Sequence, residues 1–173
     1  MNIRKNVDYS VMFSMLDTLM EANLPQMELY YEIGRTVSNQ QEKGAAVAAA
    51  EHLQSAFPEA SGFSPRNLRR MRDFSLAYEN NPVLLAQAMT LGWTQNVVLL
   101  ESDLTVSERT WYINAAQQAR WTKLELLREI EGGAHLEESL DLTEGVCYTE
   151  EDNPVEEAAA HVTDRDPQCG GVG

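Results

Sequence analysis

Two cysteines, Cys147 and Cys169, are all that this 173-residue chain has, and both fall late. A disulfide framework is excluded, and a reduced, cytoplasmic setting is expected. Long apolar runs are missing as well. No stretch nears the ~20 residues that a membrane-spanning helix needs, so no membrane partner is expected. The N-terminal apolar stretch is broken by Asp8, Ser10, Ser14 and Asp17 and has no small-residue cleavage site after it, which argues against a signal peptide. There is no sustained two-residue alternation and no Asn-Gly turn, so strands have no support. Lysine is scarce: Lys5, Lys43 and Lys123 are the whole set.

Basic charge is scarce only in places. The formal net charge is -14, yet residues 1–130 hold 12 Lys+Arg against 15 Asp+Glu. Residues 131–173 hold Arg165 alone against 12 acids. The chain therefore reads as a near-neutral body, residues 1–131, and an acidic, solvated tail, residues 132–173. A short helix near 156–161 is compatible with the tail's composition. Net charge argues against unspecific nucleic-acid affinity of the whole chain, but not of the body.

Helical periodicity dominates what is present. Val11, Met12, Met15, Leu16, Leu19 and Met20 recur at three- and four-residue steps. Pro25 is placed to begin a second helix through Met27, Tyr30, Ile33 and Val37. Lys43-Gly44 opens an alanine-rich third, bounded beyond by Pro58 and Gly62. Phe63-Ser64, Trp93-Thr94 and Trp121-Thr122 each set an aromatic before a hydroxyl residue, with Leu68, Val98 and Leu126 four positions further on. These predict stapled, capped helix starts near 65, 95 and 123. Thr105 and Glu108 form a capping box before Trp111 and Tyr112. Gly132-Gly133 ends the last helix. The fold class expected is all-α, a compact body of six or seven helices followed by the acidic tail.

The stretch "GFSPRNLRRMRDF" carries four arginines within positions 66–72. On a helical wheel Leu68, Met71, Phe74, Ser75 and Tyr78 share one face. Arg66, Arg69, Arg70 and Asp73 lie opposite, with Arg72 at the border. The helix N-terminus adds free N–H groups that favour an anion, and Asn67 stands beside it. Arginine and asparagine here suit phosphates and base edges, and the preceding turn gives a helix-turn-helix-like element. A solvated helix, its arginines paired with Asp73, Glu59 or the tail, accounts for the same pattern.

Three stretches, "LYYEIGRTVSNQQEKG", "GFSPRNLRRMRDFSLAY" and "GWTQNVVLLES…ERTWYINAAQQARWTKLELLREI", together resemble the N-terminal domain of the bacterial YhcG family. The resemblance implies a helical, helix-turn-helix-like DNA-binding module, with Arg66, Asn67, Arg69, Arg70 and Arg72 as its DNA-binding residues. The family also implies a following PD-(D/E)xK nuclease domain. That site needs an acid two residues before a lysine to hold metal and activate water. Ile3, Gln41 and Trp121 stand there instead, so no catalytic residue is assigned.

Other chemistry is set aside. His52, His135 and His161 are far apart, the cysteines lack metal spacing, and no cofactor is implied. Trp93, Trp111 and Trp121 are able to stack bases, but the staple positions of Trp93 and Trp121 favour core packing. The methionine-rich first helix either packs on its own body or forms a dimer seam. Glu32 and Arg35 are one turn apart and able to pair. The function expected is a non-catalytic DNA-binding regulatory or accessory protein. The alternative is an interaction or self-association module whose arginine face docks an acidic protein, such as a separately encoded nuclease. In the first reading the tail competes with DNA for the same arginines.

Overall fold

The computed structural model describes residues 6–138. The expectations for residues 139–173, including the helix at 156–161, therefore lie outside the described residues. All regular structure among the described residues is helical: α1 (Ser10–Glu21), α2 (Gln26–Ser38), α3 (Ala45–Ala56), α4 (Pro65–Tyr78), α5 (Pro82–Ala88), α6 (Trp93–Glu101), α7 (Val106–Ala119) and α8 (Lys123–Gly132). Residues 134–138 add a last helical segment.

Local chemistry explains most of the boundaries. Ser64 accepts from the Asn67 N–H at 3.2 Å, and Pro65 follows at the first helical position. Thr105 and Glu108 close a reciprocal box, with Glu108 accepting from Thr105 at 2.6 Å. Thr122 and Glu125 do the same before α8 at 2.7 Å. Gly133 takes φ 71° and ends α8, as the glycine pair predicts.

Three starts depart from expectation. Thr94 is not a cap: Gly92 holds that position, and the Gln95 side chain accepts its N–H at 2.7 Å. Trp93 thus sits inside the helix. Pro25 is the residue before α2 rather than its first. Helix α5 had no separate forecast; Asn81 caps it by accepting from Leu84 N–H at 3.1 Å, with Pro82 next.

The two exposed caps yield a pH prediction. The Thr122 N–H and hydroxyl hold the Glu125 carboxyl below its ordinary value of 4.5. A carboxylate whose folded value is depressed adds stability above its unfolded value and loses it as pH falls through the folded one. Glu125→Ala is therefore expected to lower the melting temperature at pH 7, with the gap to the native chain closing below pH 4.5. Thermal melts across that range check it, and a constant gap would contradict it.

The core has two halves joined by one helix. Met12, Leu16, Ile33, Val37, Leu53, Leu68 and Met71 fill the first. Phe74, Tyr78, Leu84, Leu99, Tyr112, Ile113 and Leu126 fill the second. Helix α4 contributes to both, and Trp93 packs against both. Each fully buried side chain of this size is worth ~1.5–3 kcal/mol. The buried residues of α4 are Leu68, Met71, Phe74, Ser75 and Tyr78, the face the wheel assigns. The opposite face is therefore held on a rigid spine. Met12 and Leu16 of α1 turn inward to their own body, while Val11 and Met15 stay exposed.

The compact unit reaches Leu136. Beyond α8, His135 Nδ1 lies 2.7 Å from the Tyr112 hydroxyl and its Nε2 lies 3.1 Å from Glu108. No helix among the described residues is long and apolar enough to cross a membrane.

Candidate nucleic-acid interface

Helix α4 presents its four arginines in four different states. The Arg66 side chain is 75% exposed and reaches Glu101 only at 3.8 Å. Arg70 is 25% exposed and binds Glu101 through both Nε and Nη2, at 2.7 and 2.5 Å. Arg72 holds its neighbour Asp73 at 2.9 Å. Arg69 is exposed and makes no ion pair among the described residues. Three guanidinium groups thus share two carboxylates and the fourth has none among the described residues, and the local balance is positive. The pairs are exposed on at least one side, where each is worth ~1 kcal/mol or less.

Of the expected partners, Asp73 is used and Glu59 is not among the ion pairs of the described residues. Glu101, at the far end of α6, was not foreseen. Nothing in the sequence pattern brings it within reach of Arg70, 31 positions away. The Glu32–Arg35 pair forms at 3.2 Å.

Asn67 is used inside the body. Its amide donates to the Gly62 carbonyl at 2.6 Å, and its oxygen accepts from the Trp93 indole N–H at 3.0 Å. This asparagine ties the entry of α4 to α6. Each polar end of the amide makes one bond within the body, which leaves one N–H and one oxygen lone pair. The N-terminal N–H groups of α4 are likewise partly taken, by Ser64.

Two further cations join the surface. Lys43, before α3, lines a small cleft of about 90 Å³ with Arg69 and Arg72. That cleft opens on the start of α3, where Gly44 offers no side-chain cap and takes φ 103°. On the other side of α4, Lys123 at the start of α8 lines a larger cleft with Arg70. Sequence reasoning missed both lysines. Their signal was weak: each stands alone beside a helix start, far in sequence from the arginines. The α3–α4 connection runs over residues 57–64, longer than the ~3–4 residues of a tight helix-turn-helix turn.

Among the described residues no group of His, Cys, Asp or Glu is arranged to hold a metal ion. His161, Cys147 and Cys169 lie outside them.

The body is all-helical, and its central helix carries a cationic ridge. The chain belongs to the DUF1016 N-terminal domain family, which matches residues 7–137 and is the N-terminal domain family of YhcG-like proteins. No curated protein and no solved structure matches the chain.

Proposed function

We propose that this protein is a non-catalytic, cytoplasmic DNA-binding module, acting as a regulatory or accessory factor through the exposed face of α4. The observation that carries the reading is the excess of guanidinium over carboxylate on that face, held on a helix buried along its other side. Arg66 and Arg69 are the most available groups for phosphates, with Arg72, Lys43 and Lys123 flanking them. Asn67 supports the platform rather than reading bases. Glu101 restrains two of the arginines and sets how strongly the ridge attracts an anion.

Glu101→Gln is accordingly expected to tighten DNA binding about fivefold, since one surface ion-pair charge is worth at most ~1 kcal/mol. Electrophoretic mobility shifts or fluorescence anisotropy at fixed salt measure this. Unchanged binding would remove Glu101 from the interface, and weaker binding would make its carboxylate a ligand contact instead of a restraint on the arginines. The primary test is a salt titration: three or four phosphate contacts give a log–log slope of about -3 to -4.

A second reading has its own support. Val11 and Met15 leave an apolar strip on α1, beside a groove of about 240 Å³ between α1 and α2. That surface favours self-association or a protein partner, such as a separately encoded nuclease. Binding of one protein partner by a chain that shows no salt-dependent DNA binding would favour this alternative.

A further inference from the structure

The larger cleft beside α4 has a volume of about 290 Å³ and draws on α2, α4, α6 and α8. Its walls are of two kinds. Tyr30, Trp93, Val97 and Val98 supply aromatic and aliphatic surface. Arg70, Glu101, Lys123 and Thr94 supply the polar groups around it. The Tyr30 hydroxyl is held only by a long 3.4 Å contact from Gln26, so its proton has no acceptor among the described residues. Gly62 permits this arrangement: a Cβ there would meet the Tyr30 hydroxyl at 2.7 Å, and its φ is 92°. Lys123 makes no ion pair among the described residues.

We infer that this cleft receives one unstacked base of a single-stranded or locally opened nucleic acid. The inference rests on the nucleic-acid reading of α4 and specifies which form of the polymer is bound. A flat heterocycle with polar edges fits a pocket of flat apolar walls and a few convergent donors and acceptors. Tyr30 and Thr94 face it as hydroxyl donors, and Glu101 is an acceptor for an exocyclic amine. Lys123 and Arg70 are placed for the phosphates on either side of that nucleotide. A base inside a stacked duplex presents only its edge and has no access to a concave site, so the cleft selects an unpaired base. Trp93 then has two roles: it packs on both halves of the core and lines the cleft with the part of its ring left half-buried.

The test compares a single-stranded oligonucleotide with a blunt duplex of the same sequence, both fluorescently labelled, on the full chain. Thr94→Phe fills the cleft from an exposed position, and Lys123→Ala removes its cation. Each is expected to weaken single-strand binding about tenfold, the loss of one stacked base or its phosphate; Thr94→Phe leaves duplex binding nearly unchanged, whereas Lys123→Ala, at the flank of the α4 face, lowers duplex binding by a smaller factor than single-strand binding. A melting curve matching the native chain confirms folding; if Thr94→Phe fails to fold, Lys123→Ala decides alone. Duplex binding with no preference for the single strand overturns the cleft while leaving α4 as the DNA-binding face. Equal losses on both substrates also overturn it. Absence of binding to either polymer overturns the cleft and the underlying reading together. An acidic peptide that binds while both oligonucleotides fail points to a protein ligand and overturns the base site.

Discussion

Gly34→Ala is expected to lower the melting temperature by about 10 °C. Gly34 lies in the middle of α2, where alanine would ordinarily stabilise a helix by about 1 kcal/mol. Here the opposite sign wins. A Cβ at position 34 would stand 2.0 Å from the Met71 carbonyl oxygen and 2.5 Å from its carbon. Those are backbone atoms of α4 and have no rotamer to escape into. Ser75, one turn on, would also be met at 3.0 Å through its Cβ. A glycine on α2 and a small residue on α4 thus let the two helices approach closely. Overpacking there costs ~1–3 kcal/mol or more, above the gain in propensity. Because α4 carries the arginine ridge and spans both core halves, the same substitution should also weaken DNA binding. Differential scanning calorimetry checks the first effect. An unchanged or raised melting temperature would show that α2 and α4 part at little cost.

Replacing Arg66, Arg69 and Arg70 together by alanine is expected to weaken DNA binding about a hundredfold at ~0.1 M salt and to flatten the salt slope by about 3. Arg66 and Arg69 are exposed, and Arg70 makes only the Glu101 pair, so the fold should survive. The melting temperature therefore serves as the control. Full-strength binding by this variant would take α4 out of the interface. A retained slope with reduced affinity would place the phosphate contacts on Lys43, Arg72 and Lys123 instead.

The helices were legible because their signals are local. Caps act over three residues and amphipathic spacing over four. Ser64, Thr105 and Thr122 therefore mark their helix starts correctly, and the buried face of α4 follows from Leu68, Met71, Phe74, Ser75 and Tyr78 alone. Thr94 misled because a hydroxyl after an aromatic is only half of a cap signal. Gln95 competes for the same role from inside the helix, and the start moves to Trp93. The short α5 escaped because seven residues hold too few apolar positions to display a period.

By itself the sequence determined an all-helical body, the positions of most helix ends and which side of α4 faces water, since backbone hydrogen bonding and side-chain periodicity are settled within a few residues. Only the tertiary structure decided that Glu101 would restrain Arg66 and Arg70, that Asn67 would bond to Gly62 and Trp93, and that Lys43 and Lys123 would flank the ridge. It also decided that Gly34 would lie against the backbone of Met71. These are meetings between residues tens of positions apart, and their distances depend on how whole helices pack rather than on any local preference.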